Sequence, residues 1–202
     1  FISVQTDKET YYDEKIKGLK VKTSTKWLFP RFHQRRVVNR MLEAVRRDGV
    51  GGKYLAQHSA GSGKSNSITW LAYRLSGFYQ NYTDSKALFD STIIVTDRRV
   101  LDKQIQENIR QLDDTPGVVA YSDERKTSQD LKNAILEETR IIVTTLQKFP
   151  VISEAITKLP NKNYAVIIDE AHSSQSGDAA GHLRKALSLE LAEELESGQK
   201  EL

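Results

Sequence analysis

The chain has 202 residues, with 30 Lys and Arg against 27 Asp and Glu, and it contains no cysteine. Disulfides, thiolate metal sites and thiol chemistry are therefore excluded, which accords with a cytoplasmic location. No apolar stretch approaches bilayer-spanning length and no charged-then-apolar leader opens the chain, so no membrane partner is expected.

A chain of this size can bury one substantial core. It opens on Phe1 and its only methionine is Met41, so a piece of a longer polypeptide is expected. Charge is unevenly spread. Between Lys20 and Asp48 nine basic residues face two acids, whereas Leu183 to Leu202 carries five acids against three bases. A local basic surface suits a polyanion partner, although a charge run is also the ordinary look of a solvated helix face.

Residues 1–28 read as a linker or the edge of a preceding domain: Phe1-Ile2-Ser3-Val4 is strand-like, and a polar, then Lys-rich stretch follows. From Phe29 onward strand-like and helix-like runs alternate. Pro30 suits the first turn of a helix whose apolar positions Val38, Met41, Leu42 and Val45 run to Gly49. Tyr54-Leu55-Ala56 reads as a short strand leading into a glycine loop. Ile68, Leu71, Ala72 and Leu75 then make the stripe of a helix packed on a sheet. Ile93-Ile94-Val95 is a continuous apolar run, as in a strand covered on both faces. Leu101, Ile105, Ile109 and Leu112 give the next helix. Val118-Val119, Ile141-Ile142-Val143 and Ala165-Val166-Ile167-Ile168 repeat the strand theme. The tail Leu183–Leu202 places Leu183, Leu187, Leu191 and Leu195 on one helical face. The fold class read from this order is α/β, a mainly parallel sheet with helices on both faces. Ligands in such sheets sit at the carboxyl ends of the strands.

Two motifs fall at such ends. In His58-Ser59-Ala60-Gly61-Ser62-Gly63-Lys64-Ser65 the glycines let backbone N–H groups close round a phosphate without an intruding side chain. Lys64 can reach the β- and γ-phosphates, Ser65 can offer its hydroxyl to Mg²⁺, and the helix that begins there adds its positive end. The alternative is an ordinary Gly/Ser turn capping a helix. In the second motif, Val166-Ile167-Ile168-Asp169-Glu170-Ala171-His172, two carboxylates emerge from a buried run. Asp169 suits the Mg²⁺ shell, and Glu170 suits polarising the water that attacks the γ-phosphate. The two motifs together predict an ATP-hydrolysing site with Mg²⁺ as its cation.

Four strings taken in order resemble the motor, or R, subunit of type I restriction–modification enzymes within the superfamily 2 helicases and translocases. They are His58 to Ser67, Thr96-Asp-Arg-Arg-Val-Leu-Asp-Lys-Gln104, Thr144-Thr-Leu-Gln-Lys-Phe149 and Asp169-Glu-Ala-His-Ser-Ser-Gln175. The resemblance covers about residues 29–188. It implies a RecA-like ATPase domain 1 over 29–202, ending in a C-terminal helix at 183–202. Arg31 and Gln34 then fall on the adenine-reading element, and Gly61, Ser62, Gly63, Lys64 and Ser65 on the nucleotide loop. Arg98, Thr144, Thr145, Gln147 and Lys148 fall on motifs that grip a DNA backbone, and His172 on the position that links the ATP site to domain movement. The implied partners are double-stranded DNA, methyltransferase and specificity subunits, a second RecA-like lobe and a nuclease domain. Asp13-Glu14-Lys15 and Glu124-Arg125-Lys126 match a fragment of the family's nuclease motif without a convincing partner carboxylate. The rival readings are an RNA helicase, which shares Asp-Glu-Ala-His, and a nucleotide-regulated binding module without turnover.

Overall fold

The computed structural model describes the backbone at residues 3–96, 105–109, 118–121, 128–157, 159 and 161–170. Two sheets are present among the described residues. Strands β1 (Ser3–Asp13) and β2 (Gly18–Leu28) form an antiparallel hairpin, paired from Ser3↔Leu28 to Asp13↔Gly18. Asp13 closes its turn, accepting from the Lys15 backbone N–H at 2.9 Å and pairing with Lys20 at 2.6 Å. Asp13-Glu14-Lys15 thus forms the turn of a hairpin, and Glu124-Arg125-Lys126 lies outside the described residues.

The second sheet has four strands, all parallel, in the order β4-β5-β3-β6: β3 is Ser91–Thr96, β4 Val119–Tyr121, β5 Ile141–Thr145 and β6 Tyr164–Ile168. Among the described residues four helices accompany it: α1 (Phe32–Asp48), α2 (Lys64–Leu75), α3 (Ser128–Leu136) and α4 (Phe149–Ile156). Residues 105–109 add a further helical turn.

Side chains alternate across the sheet with the strand period of two. Ile93, Val95 and Ile142 point to one face, where Leu131, Ala134 and Ile135 of α3 and Phe149, Ile152 and Ala155 of α4 cover them. Ile94, Ile141 and Val143 point to the other, under Ile68 and Ala72 of α2 and Ile105 and Ile109. Val38, Leu42 and Val45 of α1 pack with Trp70, Leu75, Phe78 and Ala165 beside that layer. Both faces are covered, as the continuous apolar runs require, and burial on both faces is why β3 after Ser91 and all of β5 carry Ile, Val and Thr.

Two local expectations are corrected. Pro30 precedes the helix instead of opening it: Arg31 is the N-cap residue, in extended conformation. Tyr54-Leu55-Ala56 joins no ladder among the described residues. Leu55 is 86% exposed, and the Tyr54 hydroxyl donates back to Asp48 at 2.9 Å. A strand there needs a neighbour to pair with, as the three-residue β4 has in β5. The expected helix at Leu183–Leu202 lies outside the described residues, as do Leu101 and Leu112.

Candidate functional site

The parallel order brings the carboxyl ends of β3, β5 and β6 to one edge. Past β6 the ladder continues by one bond, the Asp169 N–H donating to the Val95 carbonyl at 2.9 Å. That bond fixes Asp169 at the rim of the sheet, where its side chain is fully buried. The next residue, Glu170, turns away with φ +53°. A non-glycine residue in the left-handed region stores strain, and such strain collects at working sites.

On the other side of this edge the chain from His58 enters α2 through Gly61 and Gly63, with φ +71° and +77°. Gly63 is the N-cap residue of α2, and Lys64 is its first residue. The Lys64 Nζ pairs with Asp169 Oδ1 at 2.8 Å and with Glu170 Oε1 more closely still. Residues 106 positions apart are thereby joined. Burial pulls the Lys64 pKa down, but the hydrogen bonds from Asp169 and Glu170 outweigh it and leave a net upward shift. Lys64 is a cation across the neutral range.

Asp169 Oδ1 also accepts from the Glu170 N–H at 3.0 Å. Its other oxygen, Oδ2, is buried and has no hydrogen-bond partner. An ionised oxygen without a partner in the interior is costly unless something binds it. A hard divalent cation takes oxygen ligands of this kind, so the carboxylate fits Mg²⁺.

Gln34, in the first turn of α1, is 3% exposed. Its Oε1 accepts from the Arg31 N–H at 2.8 Å, and its Nε2 donates to the carbonyls of Ser62 and Gly63 at 3.1 and 3.0 Å. The amide expected to read adenine is thus already engaged with the glycine loop through both its N–H donors. The Arg31 side chain is exposed beside it.

The remaining expected residues are placed unevenly. Thr144 and Thr145 end the central strand β5 and are 0% and 6% exposed, so their hydroxyls are withdrawn from solvent. Gln147 is exposed and Lys148 half-buried in the turn that follows. Arg98 and His172 lie outside the described residues. No carboxylate or imidazole cluster of metal-binding size occurs among the described residues. His33 and His58 also reach the loop. His58 stands four positions before Ser62 within the same motif, whereas His33 is 29 positions away and no spacing rule joins residues on either side of an intervening segment.

The SWI2/SNF2 ATPase family model matches residues 33–191 of this chain. Among curated proteins, the chain is 32% identical over 155 residues to the C-terminal part of the type I restriction enzyme MpnIIP endonuclease subunit of Mycoplasma pneumoniae. The match covers 68% of this chain and 68% of that protein.

Proposed function

The chain belongs to the SWI2/SNF2 ATPase family, and from that premise we propose that it is the first RecA-like motor lobe of a type I restriction enzyme R subunit. It couples ATP hydrolysis to translocation along double-stranded DNA. Its partners are methyltransferase and specificity subunits, and a second lobe and a nuclease domain complete its polypeptide. The observation that carries the reading is the Lys64 ammonium held between Asp169 and Glu170 at the carboxyl edge of a parallel sheet.

In this reading the N–H groups from Gly61 to Ser65 cradle the phosphates. Asp169 and the Ser65 hydroxyl hold Mg²⁺, which supplies charge neutralisation on the phosphate oxygens. A triphosphate competes with both carboxylates for the Lys64 ammonium. When Lys64 turns to the phosphates, its hold on Glu170 relaxes and the carboxylate can accept the proton of the attacking water. Arg31 and Gln34 meet the base. Arg98, Thr144, Thr145, Gln147 and Lys148 serve the DNA backbone, with the exposed Gln147 better placed than the buried threonines. His172 passes the state of the site to the second lobe.

The test is ATP hydrolysis by the intact protein with its partner subunits, on duplex DNA, on single-stranded RNA and without polymer. Stimulation by duplex DNA alone is expected. Glu170→Gln should lower turnover by about 10²–10⁴-fold, the usual worth of a general base, and Lys64→Ala should abolish DNA stimulation. Undiminished translocation in either variant refutes the assignment, and stimulation by RNA alone moves the protein to the helicases.

A further inference from the structure

The bonds that hold the glycine loop come largely from outside it. Three side chains converge on Ser62, which is 9% exposed. Its carbonyl accepts from Gln34 and lies 3.0 Å from His33 Nε2, while its hydroxyl lies 3.2 Å from His58 Nδ1. The two imidazoles meet edge to face with centroids 6.3 Å apart. They line a cleft with Val37, Gln57, Ser59 and Ser62. A carbonyl oxygen has two lone pairs, so Gln34 and His33 together saturate that of Ser62. Bonding to a carbonyl requires the His33 proton on Nε2. A serine hydroxyl both donates and accepts, so either His58 tautomer can hold it.

Direction is what these bonds control. In a planar trans peptide the C=O and the following N–H point opposite ways. Tying the Ser62 carbonyl to His33 and Gln34 therefore aims the Gly63 N–H away from α1. The Gly63 carbonyl, held by Gln34 at 3.0 Å and by the Asn66 and Ser67 N–H groups of the first turn of α2 at 3.1 and 3.4 Å, turns the Lys64 N–H the same way. No described residue accepts from either N–H. Two adjacent donors aimed at one side, beside the Lys64 ammonium, are what an anionic phosphate needs.

We infer that His33 and His58 are positioning residues for nucleotide binding, gripping Ser62 from its carbonyl and hydroxyl so that the Gly63 N–H faces the phosphates beside that of Lys64. The inference rests on the nucleotide-loop reading above. It assigns to two imidazoles a role that composition and motif spacing leave open.

The experiment measures ATP turnover and ADP binding by the intact protein in His33→Ala, His58→Ala, the double variant and Lys64→Ala. Each single alanine variant should raise the KM for ATP and the Kd for ADP by about fivefold, the worth of one hydrogen bond. kcat should change less than KM. Ser62→Ala should make His58→Ala nearly silent, because the hydroxyl His58 holds is already gone. His33→Gln and His58→Asn keep a side-chain nitrogen near Nε2 and Nδ1 respectively and should restore KM to within about twofold. These two variants also carry the test if an alanine variant fails to fold. Unchanged KM and Kd in the alanine variants overturn the inference, and so do Gln and Asn replacements as poor as alanine. Unaltered nucleotide binding in Lys64→Ala instead overturns the nucleotide-loop reading itself.

Discussion

Two glycines of one loop are under different constraints, and that difference can be measured. Gly61 and Gly63 both have positive φ, so an L side chain at either carries roughly 1–2 kcal/mol of backbone strain. Around Gly61 nothing lies within 4 Å of an added Cβ, whereas at Gly63 the Cβ would stand 2.4 Å from Gln34 Nε2. Gly61→Ala should therefore lower Tm by about 2–8 °C through strain alone. Gly63→Ala should lower it further and weaken ADP binding as well, because Gln34 must release the Ser62 and Gly63 carbonyls. Thermal unfolding and ADP titration check both; equal effects at the two positions would mean that Gln34 does not hold the loop. The need for glycine here was legible from the motif, since only a loop of N–H groups explains two glycines before Lys-Ser. The Gln34 amide was not, because its partners lie 28 and 29 positions away in the chain and reach it only through the packing of α1 on α2. Nor was the positive φ at Glu170, a residue type that normally avoids it.

At the scale of elements, the opposite end of the sheet is held by charge. Asp90, just before β3, has a side chain 3% exposed and pairs with Lys86 at 2.6 Å and Lys162 at 3.5 Å. It also accepts from the Asn163 N–H at 2.8 Å, which locks the start of β6 to that of β3. Burial raises its pKa, but the Lys86 hydrogen bond, the Asn163 N–H and the two lysine charges together hold it below the ordinary value. A carboxylate depressed in the folded state stabilises above the unfolded pKa of about 3.9 and loses that contribution as pH falls through the folded value. Asp90→Asn should cost about 1–3 kcal/mol at pH 7, and the gap in Tm between variant and wild type should close below about pH 4. A gap that stays constant from pH 7 to pH 3 would show that charge is not what Asp90 contributes. The elements themselves were legible where an apolar run met a second strand. Ile93-Ile94-Val95 and Ile141-Ile142-Val143 are paired in parallel and buried on both faces. Tyr54-Leu55-Ala56 had the same look without a partner to pair with, and periodicity does not reveal whether a neighbour exists.

At the scale of the whole molecule, the hairpin and the α/β layers are separate sheets. β1 pairs with β2 along its full length, and neither strand joins β3 to β6. Among the described residues, none of the buried apolar clusters includes a hairpin residue. Tyr12 lies across from Leu19, and with Val21 and Trp27 it falls on one face of the ladder, with exposures of 60%, 73%, 59% and 66% in the order Tyr12, Leu19, Val21, Trp27. Lys20, Lys22 and Lys26 alternate onto the other face, so the pattern Leu-Lys-Val-Lys was a strand signal that the overall lysine content obscured. A two-stranded hairpin is at best marginally stable alone, so it adds little to the stability of the layers beside it. Deleting residues 1–28 should leave the Tm of the remaining domain within about 2 °C, less than the shift expected from one lost kcal/mol. Phe149→Ala, which empties a site fully buried against α3 and β5, should cost about 3–5 kcal/mol. Comparing the two by calorimetry separates the possibilities. If the deletion costs as much as the cavity, the hairpin is part of the folding unit and the boundary at Phe29 is misplaced. If only the cavity is costly, the ATPase layers fold without the hairpin, and its apolar face is free to serve something other than stability.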